Sequence, residues 1–177
     1  HAPAVAAENV VVQPVVVPQE FIKGADVSML AEVEKFGGKF FDASGKQQDA
    51  MAILKENGFN YIRLRLWVDP KDADGKPYGG GNNDLAATIA LAKRAKALGM
   101  KFLLDFHYSD FWTDPGRQNK PKAWRTMSVE QLADAVYAHT KESMDALAKA
   151  GVFFFKQKTA YEINGGMLWP EGKSWGQ

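Results

Sequence analysis

The chain has 177 residues, of which 46% are hydrophobic, and this is enough apolar material for one compact domain but too little for two. Its 22 Lys and Arg residues and 21 Asp and Glu residues give a formal net charge of +1, which supplies no general attraction to nucleic acid or acidic membranes. The absence of cysteine excludes disulfides and thiolate metal sites. We therefore expect one hydrophobic core and an uncharged partner.

The first 19 residues are rich in Ala, Val, Pro and Gln and are typical of a tether rather than of a folded core. Their apolar runs at residues 10–12 and 15–17 are far too short to span a bilayer, so we expect no membrane anchor. The composition fits the mature start of an exported protein, although a cloning boundary would look the same. We expect a secreted protein, extracellular or periplasmic, whose folded domain covers residues 20–177.

From residue 21 onward, short apolar runs alternate with longer segments of helical period, as in repeated βα units around a parallel sheet. The first strand is predicted at about residues 21–26. An irregular stretch with several glycines follows, and then a helix that begins near Ala50 and is stopped by Asn57 and Gly58.

The second predicted strand covers residues 60–67. Its alternation places Tyr61, Arg63, Arg65 and Trp67 on one side. Two arginines therefore share one face of the predicted sheet.

The next unit combines a long loop, a helix and a third strand. The loop covers residues 69–84 and contains three consecutive glycines. A helix is predicted for residues 85–98, with Asn83 or Asp84 as its N-cap. Residues 101–107 form the third predicted strand, which turns polar at its carboxyl end.

The last unit begins with the capping box Ser128-Val-Glu-Gln131, which predicts a helix to about residue 149. A fourth strand is predicted from residue 152 to about 160, with Glu162 at or just beyond its carboxyl end. Four βα units with polar loops at one end amount to half of a (β/α)8 barrel, whose full length is about 250 residues. The sequence therefore predicts an α/β fold, a TIM barrel truncated to about its first four βα units.

Active sites of such barrels lie at the carboxyl ends of the strands, which selects the chemistry-bearing candidates. They are Asp26, Arg63, Arg65, Asp105, His107, Asp110 and Glu162. Each also has a structural interpretation: Asp26 can cap a turn, and Asp105 can be a buried carboxylate paired with Arg63 or Arg65.

Aromatic residues gather at the same strand ends and in the loops beyond them. They are Trp67, Tyr108, Phe111, Trp112, Trp124 and Trp169. Such rings suit the C–H face of a pyranose, while neighbouring polar groups satisfy its hydroxyls; alternatively, they form a small core within the loops. As a group they favour a sugar cleft. The three histidines form no close pair for zinc, and we expect neither a metal nor another cofactor.

Four sequence motifs together resemble the arabinogalactan endo-β-1,4-galactanases, glycoside hydrolase family 53. They are Gly24-Ala-Asp-Val-Ser28, Arg63-Leu-Arg-Leu-Trp67, Asp105-Phe-His-Tyr-Ser-Asp-Phe-Trp112 with Asp114-Pro-Gly116, and Glu162-Ile-Asn-Gly-Gly-Met-Leu-Trp-Pro-Glu-Gly172. The resemblance covers residues 21 to about 152 and resumes at Glu162. It implies cleavage of internal β-1,4 bonds in galactan or arabinogalactan side chains of pectin, with retention at the anomeric carbon. A monomer is expected at full length.

The resemblance also implies roles for individual residues. Glu162 would be the acid/base, and Arg63 would help to keep the nucleophile ionised. Substrate contacts would come from Asp26, His107, Asp110, Trp112 and Trp169. The family's nucleophile lies on strand seven, which nothing in this chain matches, and Tyr161 stands where the family has asparagine. The chain by itself is therefore expected to be an inactive fragment.

Two alternatives remain beside this interpretation. One is another retaining hydrolase of the same clan, such as a mannanase or a β-galactosidase, against which the Trp169-Pro-Glu-Gly172 ending argues. The other is a non-catalytic carbohydrate-binding protein that uses the loop tryptophans alone.

Overall fold

The computed structural model describes residues 21–152, which form a parallel sheet covered on one face by helices. In chain order the elements are β1 (Gly24–Asp26), α1 (Leu30–Lys35), β2 (Phe40–Phe41), β3 (Gln47–Gln48), α2 (Ala50–Glu56), β4 (Tyr61–Leu66), α3 (Leu85–Ala97), β5 (Lys101–Phe106), a 3₁₀ turn (Lys122–Trp124) and α4 (Val129–Lys149).

The sheet has the strand order β1-β4-β5, and both pairings are parallel. Its register sets Asp26 beside Arg63 and Arg65 beside Asp105. Strands β2 and β3 form a separate antiparallel pair. Since parallel neighbours need a crossover connection, α3 between β4 and β5 forms a βα unit of the predicted kind.

Strand β4 shows why this sequence forms a sheet with two different faces. Ile62, Leu64 and Leu66 are fully buried, whereas Arg63 and Arg65 alternate with them and point to the other side. The apolar face therefore packs on the helices, and the other face is left for polar chemistry.

The core lies between that apolar face and the helices. Its buried members are Leu30, Met51, Ile62, Leu64, Leu91, Ala92, Ala95, Met100, Leu147 and Val152. They include residues of all four α-helices, so burial of one face of each helix stabilises the whole arrangement.

Side-chain caps begin three of the helices. The Asp49 carboxylate accepts from backbone N–H groups at the start of α2, and that of Asp84 accepts from Ala87 in α3. Ser128 and Gln131 form the reciprocal bonds of a capping box at α4. The predicted capping box is confirmed, and of the two candidates for the cap of α3, Asp84 fills the position.

Two predictions for the amino-terminal part were wrong. The first strand covers three residues, not six, and the stretch predicted to be irregular contains α1, β2 and β3. Residues 21–23 remain outside the strand although the N–H of Lys23 donates to the side chain of Asn60 at 2.8 Å. The side-chain oxygen of Asn60 thus accepts the hydrogen bond that a backbone carbonyl of the neighbouring strand would accept in a regular sheet.

The remaining boundaries differ from prediction by about one residue, as is usual at element ends. The tether at residues 1–19 and the fourth strand at residues 152–160 lie outside the described residues, apart from Val152. None of the helices within residues 21–152 combines the length and apolar character needed to cross a bilayer.

Candidate active site at the carboxyl ends of the strands

Three strands deliver polar side chains to the same edge of the sheet. β1 ends at Asp26, β4 ends just before Trp67, and β5 ends just before His107. Because these strands are parallel and in register, their carboxyl ends meet at one edge of the sheet. This is the position predicted for the active site.

Arg63 lies at the centre of this group. Its Nη1 donates to Oδ2 of Asp26 at 2.5 Å, and its Nη2 donates to Oδ2 of Asp105. One guanidinium therefore bridges carboxylates from the two neighbouring strands, and Asp105 pairs with Arg63 rather than with Arg65. The Arg63 side chain is still 40% exposed on the open face.

Asp26 is held as a carboxylate by its neighbours. Partial burial opposes its ionisation, but hydrogen bonds from the N–H and hydroxyl of Ser28 and the positive charges of Arg65 and Arg63 outweigh this. The pKa of Asp26 therefore lies below its ordinary value of 3.8. The predicted turn cap is also present, since Oδ1 accepts from the N–H of Ser28 at 2.9 Å.

Arg65 is buried and lies between two indole rings. Its guanidinium carbon is 5.5 Å from the ring centroid of Trp67 and 5.1 Å from that of Trp112. Its Nε lies 3.7 Å from Oδ2 of Asp26. The second cation is thus kept in place by stacking and by charge rather than by a close hydrogen bond.

The hydrogen bonds of His107 assign its tautomer. Its Nδ1 accepts from Nε1 of Trp67 at 3.2 Å and from the backbone N–H of Thr113 at 3.3 Å. Its Nε2 therefore carries the proton and donates to Oδ2 of Asp105 at 2.9 Å. Asp105 joins His107 and Arg63 into one network.

Asp110 has a different position from the one expected of a sugar-binding group. Its side chain is nearly buried, and its two oxygens accept from the backbone N–H groups of Asp69 at 3.0 Å and Lys122 at 2.7 Å. It therefore ties the loop after β4 to the loop after β5. Direct contact of Asp110 with substrate stays a prediction.

The loop aromatics divide into buried and exposed rings, and sugar contact by the exposed ones stays a prediction. Trp124 is 8% exposed and contacts the ring of His139, with a centroid distance of 6.0 Å, so it belongs to a loop core. Trp67 is buried beside Arg65 and His107. Trp112 is 43% exposed and meets His107 edge to face, with a centroid distance of 5.5 Å, so its ring is available to a ligand.

A cleft of about 480 Å³ opens beside the carboxyl end of β5. His107, Tyr108, Asp114 and Gln118 are among its lining residues. Its volume is in the range of small-molecule sites. No group of three His, Asp or Glu side chains arranged to hold a metal occurs within the described range.

Two predicted site residues, Glu162 and Trp169, lie outside the described residues. The residues described do include two that sequence reasoning did not select. Ser28 donates to Asp26 and accepts from the N–H of Arg65 at 2.9 Å, and Lys122 contacts both long loops. Ser28 had a detectable signal, because a serine two residues after a strand-end aspartate is typical of an Asx turn.

The fold and this edge define an α/β protein whose carboxylates, arginines and tryptophans meet at the carboxyl ends of parallel strands, as they do in (β/α)8-barrel enzymes. The family model described as Glycosyl hydrolase family 53 matches residues 22–176, and the chain therefore belongs to this family. The resemblance found in the sequence motifs is confirmed.

Relatives and solved structures agree with this assignment. The chain is 44% identical over 167 residues to "Endo-beta-1,4-galactanase" of Bacillus subtilis (strain 168), an alignment that covers 94% of the chain and 39% of the relative. It is 42% identical over 151 residues to "Probable arabinogalactan endo-beta-1,4-galactanase A" of Neosartorya fischeri, covering 85% and 40%. The structure "Ignisphaera aggregans GH53 catalytic domain" matches with a TM-score of 0.77 and 46% identity over 81% of the chain and 40% of that domain. The chain thus spans about two fifths of the length of the relatives it matches, and these neighbours place it in a (β/α)8-barrel family.

Proposed function

We propose that the chain is the amino-terminal part of an endo-β-1,4-galactanase that cleaves internal bonds of galactan or arabinogalactan with retention at the anomeric carbon. The observation that carries the proposal is the Arg63 bridge between Asp26 and Asp105 at the open edge of the sheet. The names of the relatives supply the substrate class.

The chemistry gives Arg63 a purpose beyond structure. A retaining glycosidase needs two carboxyl groups about 5–5.5 Å apart, one protonated and one ionised. A neighbouring cation keeps the nucleophile ionised. Arg63 donates two hydrogen bonds, and its other N–H groups have no partner among residues 21–152. A partly exposed guanidinium fixed by two carboxylates can therefore hold a third carboxylate beside the substrate.

The remaining roles come from the family resemblance. Glu162 is proposed as the acid/base, and Trp112, Trp169, His107, Asp26 and Asp110 are proposed to position the sugar. The family's strand-seven nucleophile has no match in the chain, so residues 1–177 alone are proposed to lack turnover. Export is part of the same proposal, since the polysaccharide substrate lies outside the cell.

A carbohydrate-binding protein without turnover is the second candidate, because Trp112 exposes much of its ring. It requires the aromatic surface but neither Glu162 nor a nucleophile. Another retaining hydrolase of the clan would share the catalytic pair but act on a different polysaccharide.

The native gene is first sequenced from codon 150 to its stop codon. The test then compares residues 1–177 with the complete product of that gene. Release of reducing ends is measured on linear β-1,4-galactan, β-1,4-mannan and an aryl β-galactoside. We expect the complete product to act on galactan alone, the 177-residue chain to be inactive, and the first product anomer to be β by NMR.

Glu162→Gln in the complete product separates the candidates, and Glu130→Gln on α4 is its matched control. A galactanase should lose most turnover with Glu162→Gln and none with Glu130→Gln. Galactan binding without turnover in every form would refute the enzymatic proposal in favour of a binding protein. Turnover of mannan in preference to galactan would refute the substrate assignment.

A further inference from the structure

A second cleft, of about 400 Å³, is lined by Trp112, which also belongs to the candidate active site. Its walls combine aromatic and cationic side chains. They include the aromatic residues Tyr78, Phe111 and Trp112 and the cationic residues Arg117, Lys120 and Arg125.

The positive charge is local to this part of the chain. Residues 114–125 contain four Lys and Arg residues and one Asp, whereas the whole chain has a net charge of only +1. Arg117 pairs with Asp114 at 3.4 Å. Lys120 and Arg125 are exposed and have no acidic partner among the residues described.

Asp110, the acidic residue that lines the cleft, repels a bound anion only weakly. Asp110 is nearly buried, and both of its oxygens accept from backbone N–H groups. The Lys122 ammonium lies 3.7 Å from the same carboxylate and offsets its charge. The unpaired charge that faces the cleft is therefore positive.

The aromatic side of the cleft is partly exposed and preformed. Phe111 packs against Trp67 with a centroid distance of 5.0 Å and meets Tyr78 edge to face at 6.1 Å. Trp112 is fixed by His107 and Arg65. Fixed aromatic faces suit the C–H face of a pyranose ring.

We propose that this cleft binds a uronic acid residue, with its carboxylate between Lys120 and Arg125 and its ring against Trp112. A guanidinium and an ammonium together match a carboxylate, and a ring platform beside them selects a sugar acid over a simple anion. The cleft is too small, and the overall charge too low, for an extended nucleic-acid site. The inference rests on the proposed function: the site would extend a neutral galactan cleft to substrates that also carry acidic sugars.

The test measures, by calorimetry at low ionic strength, binding of a short oligogalacturonide and of a neutral β-1,4-galacto-oligosaccharide of equal length to the full chain. The variant is Lys120→Ala with Arg125→Ala. Because both side chains are exposed, circular dichroism should match the wild type. We expect about tenfold weaker binding of the oligogalacturonide, unchanged binding of the neutral sugar, and strong weakening by salt.

The matched control is Lys55→Ala with Lys93→Ala, which removes the same charge from exposed helix positions that do not line the cleft. It should leave both affinities unchanged. Equal affinity of the wild type and the cleft variant for the oligogalacturonide, or no binding by the wild type, overturns the inference. Tighter binding of a single-stranded oligonucleotide that depends on the same two residues overturns it in favour of nucleic acid. Uronate binding without any binding of the neutral sugar supports the inference and counts against the proposed function.

Discussion

The ammonium group of Lys122 lies 2.6 Å from the carboxylate of Asp69. It also donates to the backbone carbonyls of Asp69 at 3.0 Å and Lys71 at 2.7 Å. Lys122 comes from the loop after β5, whereas its partners come from the loop after β4. One cation thus contacts several oxygens and joins the loop after β4 to the loop after β5.

Replacing Lys122 with Met should therefore loosen both loops, because Met keeps the apolar stem and removes the ammonium. We expect a loss of about 1–2 kcal/mol in the free energy of unfolding, measured by urea denaturation. Lys120→Met is the matched control, and its exposed side chain should change that energy by less than about 0.5 kcal/mol.

Comparison of the wild type with Lys122→Met also gives a pH test. Partial burial of Lys122 opposes its charge, but the hydrogen bond to Asp69 and the charges of Asp110 and Asp69 outweigh it and raise the pKa above 10.5. A raised lysine pKa stabilises the fold fully below the unfolded value and loses this effect as pH rises through the folded value. The difference in unfolding energy should be constant at neutral pH and shrink only above 10.5. A difference that shrinks already at neutral pH would contradict this assignment.

Arg94 of α3 should be sensitive even to substitution by Lys. It donates to both oxygens of Glu34 at 2.8 Å and to Asp49 at 2.5 Å, which connects α3 to α1 and to the cap of α2. An ammonium cannot reproduce this planar pairing, so Arg94→Lys should cost about 1–2 kcal/mol. A double-mutant cycle with Glu34→Gln measures the coupling energy between Arg94 and Glu34. Additive effects of the two changes would show that this ion pair is not the source of the lost stability.

Asp26→Asn should alter stability in acid. Because the folded-state pKa of Asp26 is lowered, its ionised form stabilises the fold above 3.8, and this contribution disappears as pH falls through the folded value. Thermal unfolding of the wild type and Asp26→Asn should therefore differ at neutral pH and converge below 3.8. Asp74→Asn, at an exposed turn position, is the control and should follow the wild type at each pH.

Two tryptophans should respond in opposite ways to substitution by Ala. Trp112→Ala removes a partly exposed ring and should weaken binding of galactan oligosaccharides about tenfold, while the lost stacking on buried Arg65 should cost only about 1 kcal/mol of stability. Trp124→Ala removes a buried ring and should cost about 3–5 kcal/mol of stability. Calorimetry and urea denaturation of both variants check the contrast, which fails if Trp112→Ala binds as the wild type does.

Gly81 lies where backbone from two loops approaches closely. Its φ is +100°, and an added Cβ would overlap the carbonyl oxygen of Ser28. Gly81→Ala should therefore destabilise the fold by about 2–4 kcal/mol, through strain and displacement of the Asp26 turn. Gly75 has a φ of +78° but nothing within 4 Å of its Cβ position, so Gly75→Ala should cost only about 1 kcal/mol. Equal losses in urea denaturation would exclude the close approach as the cause.

Much of the fold was predictable because local signals agreed with tertiary structure. The alternation in β4, the Asp84 cap and the Ser128 capping box each determine structure within a few residues, and each was found in the sequence. The helix α1 was missed because its six residues are too few to show a helical periodicity, and Gly37 and Gly38 follow closely after it. The pair β2–β3 has two residues in each strand, which is too few for alternation to be read.

The candidate site was predictable in its composition but not in its partners. Parallel topology brings strand ends together, so Asp26, Arg63 and His107 could be chosen from sequence. Which arginine pairs with Asp105 depends on side-chain direction across the register, and this is not encoded in spacing. The contacts of Lys122 cross more than fifty residues and could not have been found from local pattern.

The strand β4 carries core residues at its even-numbered positions and the two site arginines, Arg63 and Arg65, on its opposite face. Insertion or deletion of a single residue within it would exchange the two sets, presenting arginines to the helices and leucines to the substrate edge. Because core and site residues alternate along these six positions, β4 can accept substitutions but not insertions or deletions. The tolerance for added length lies instead in the loops beyond the strand ends.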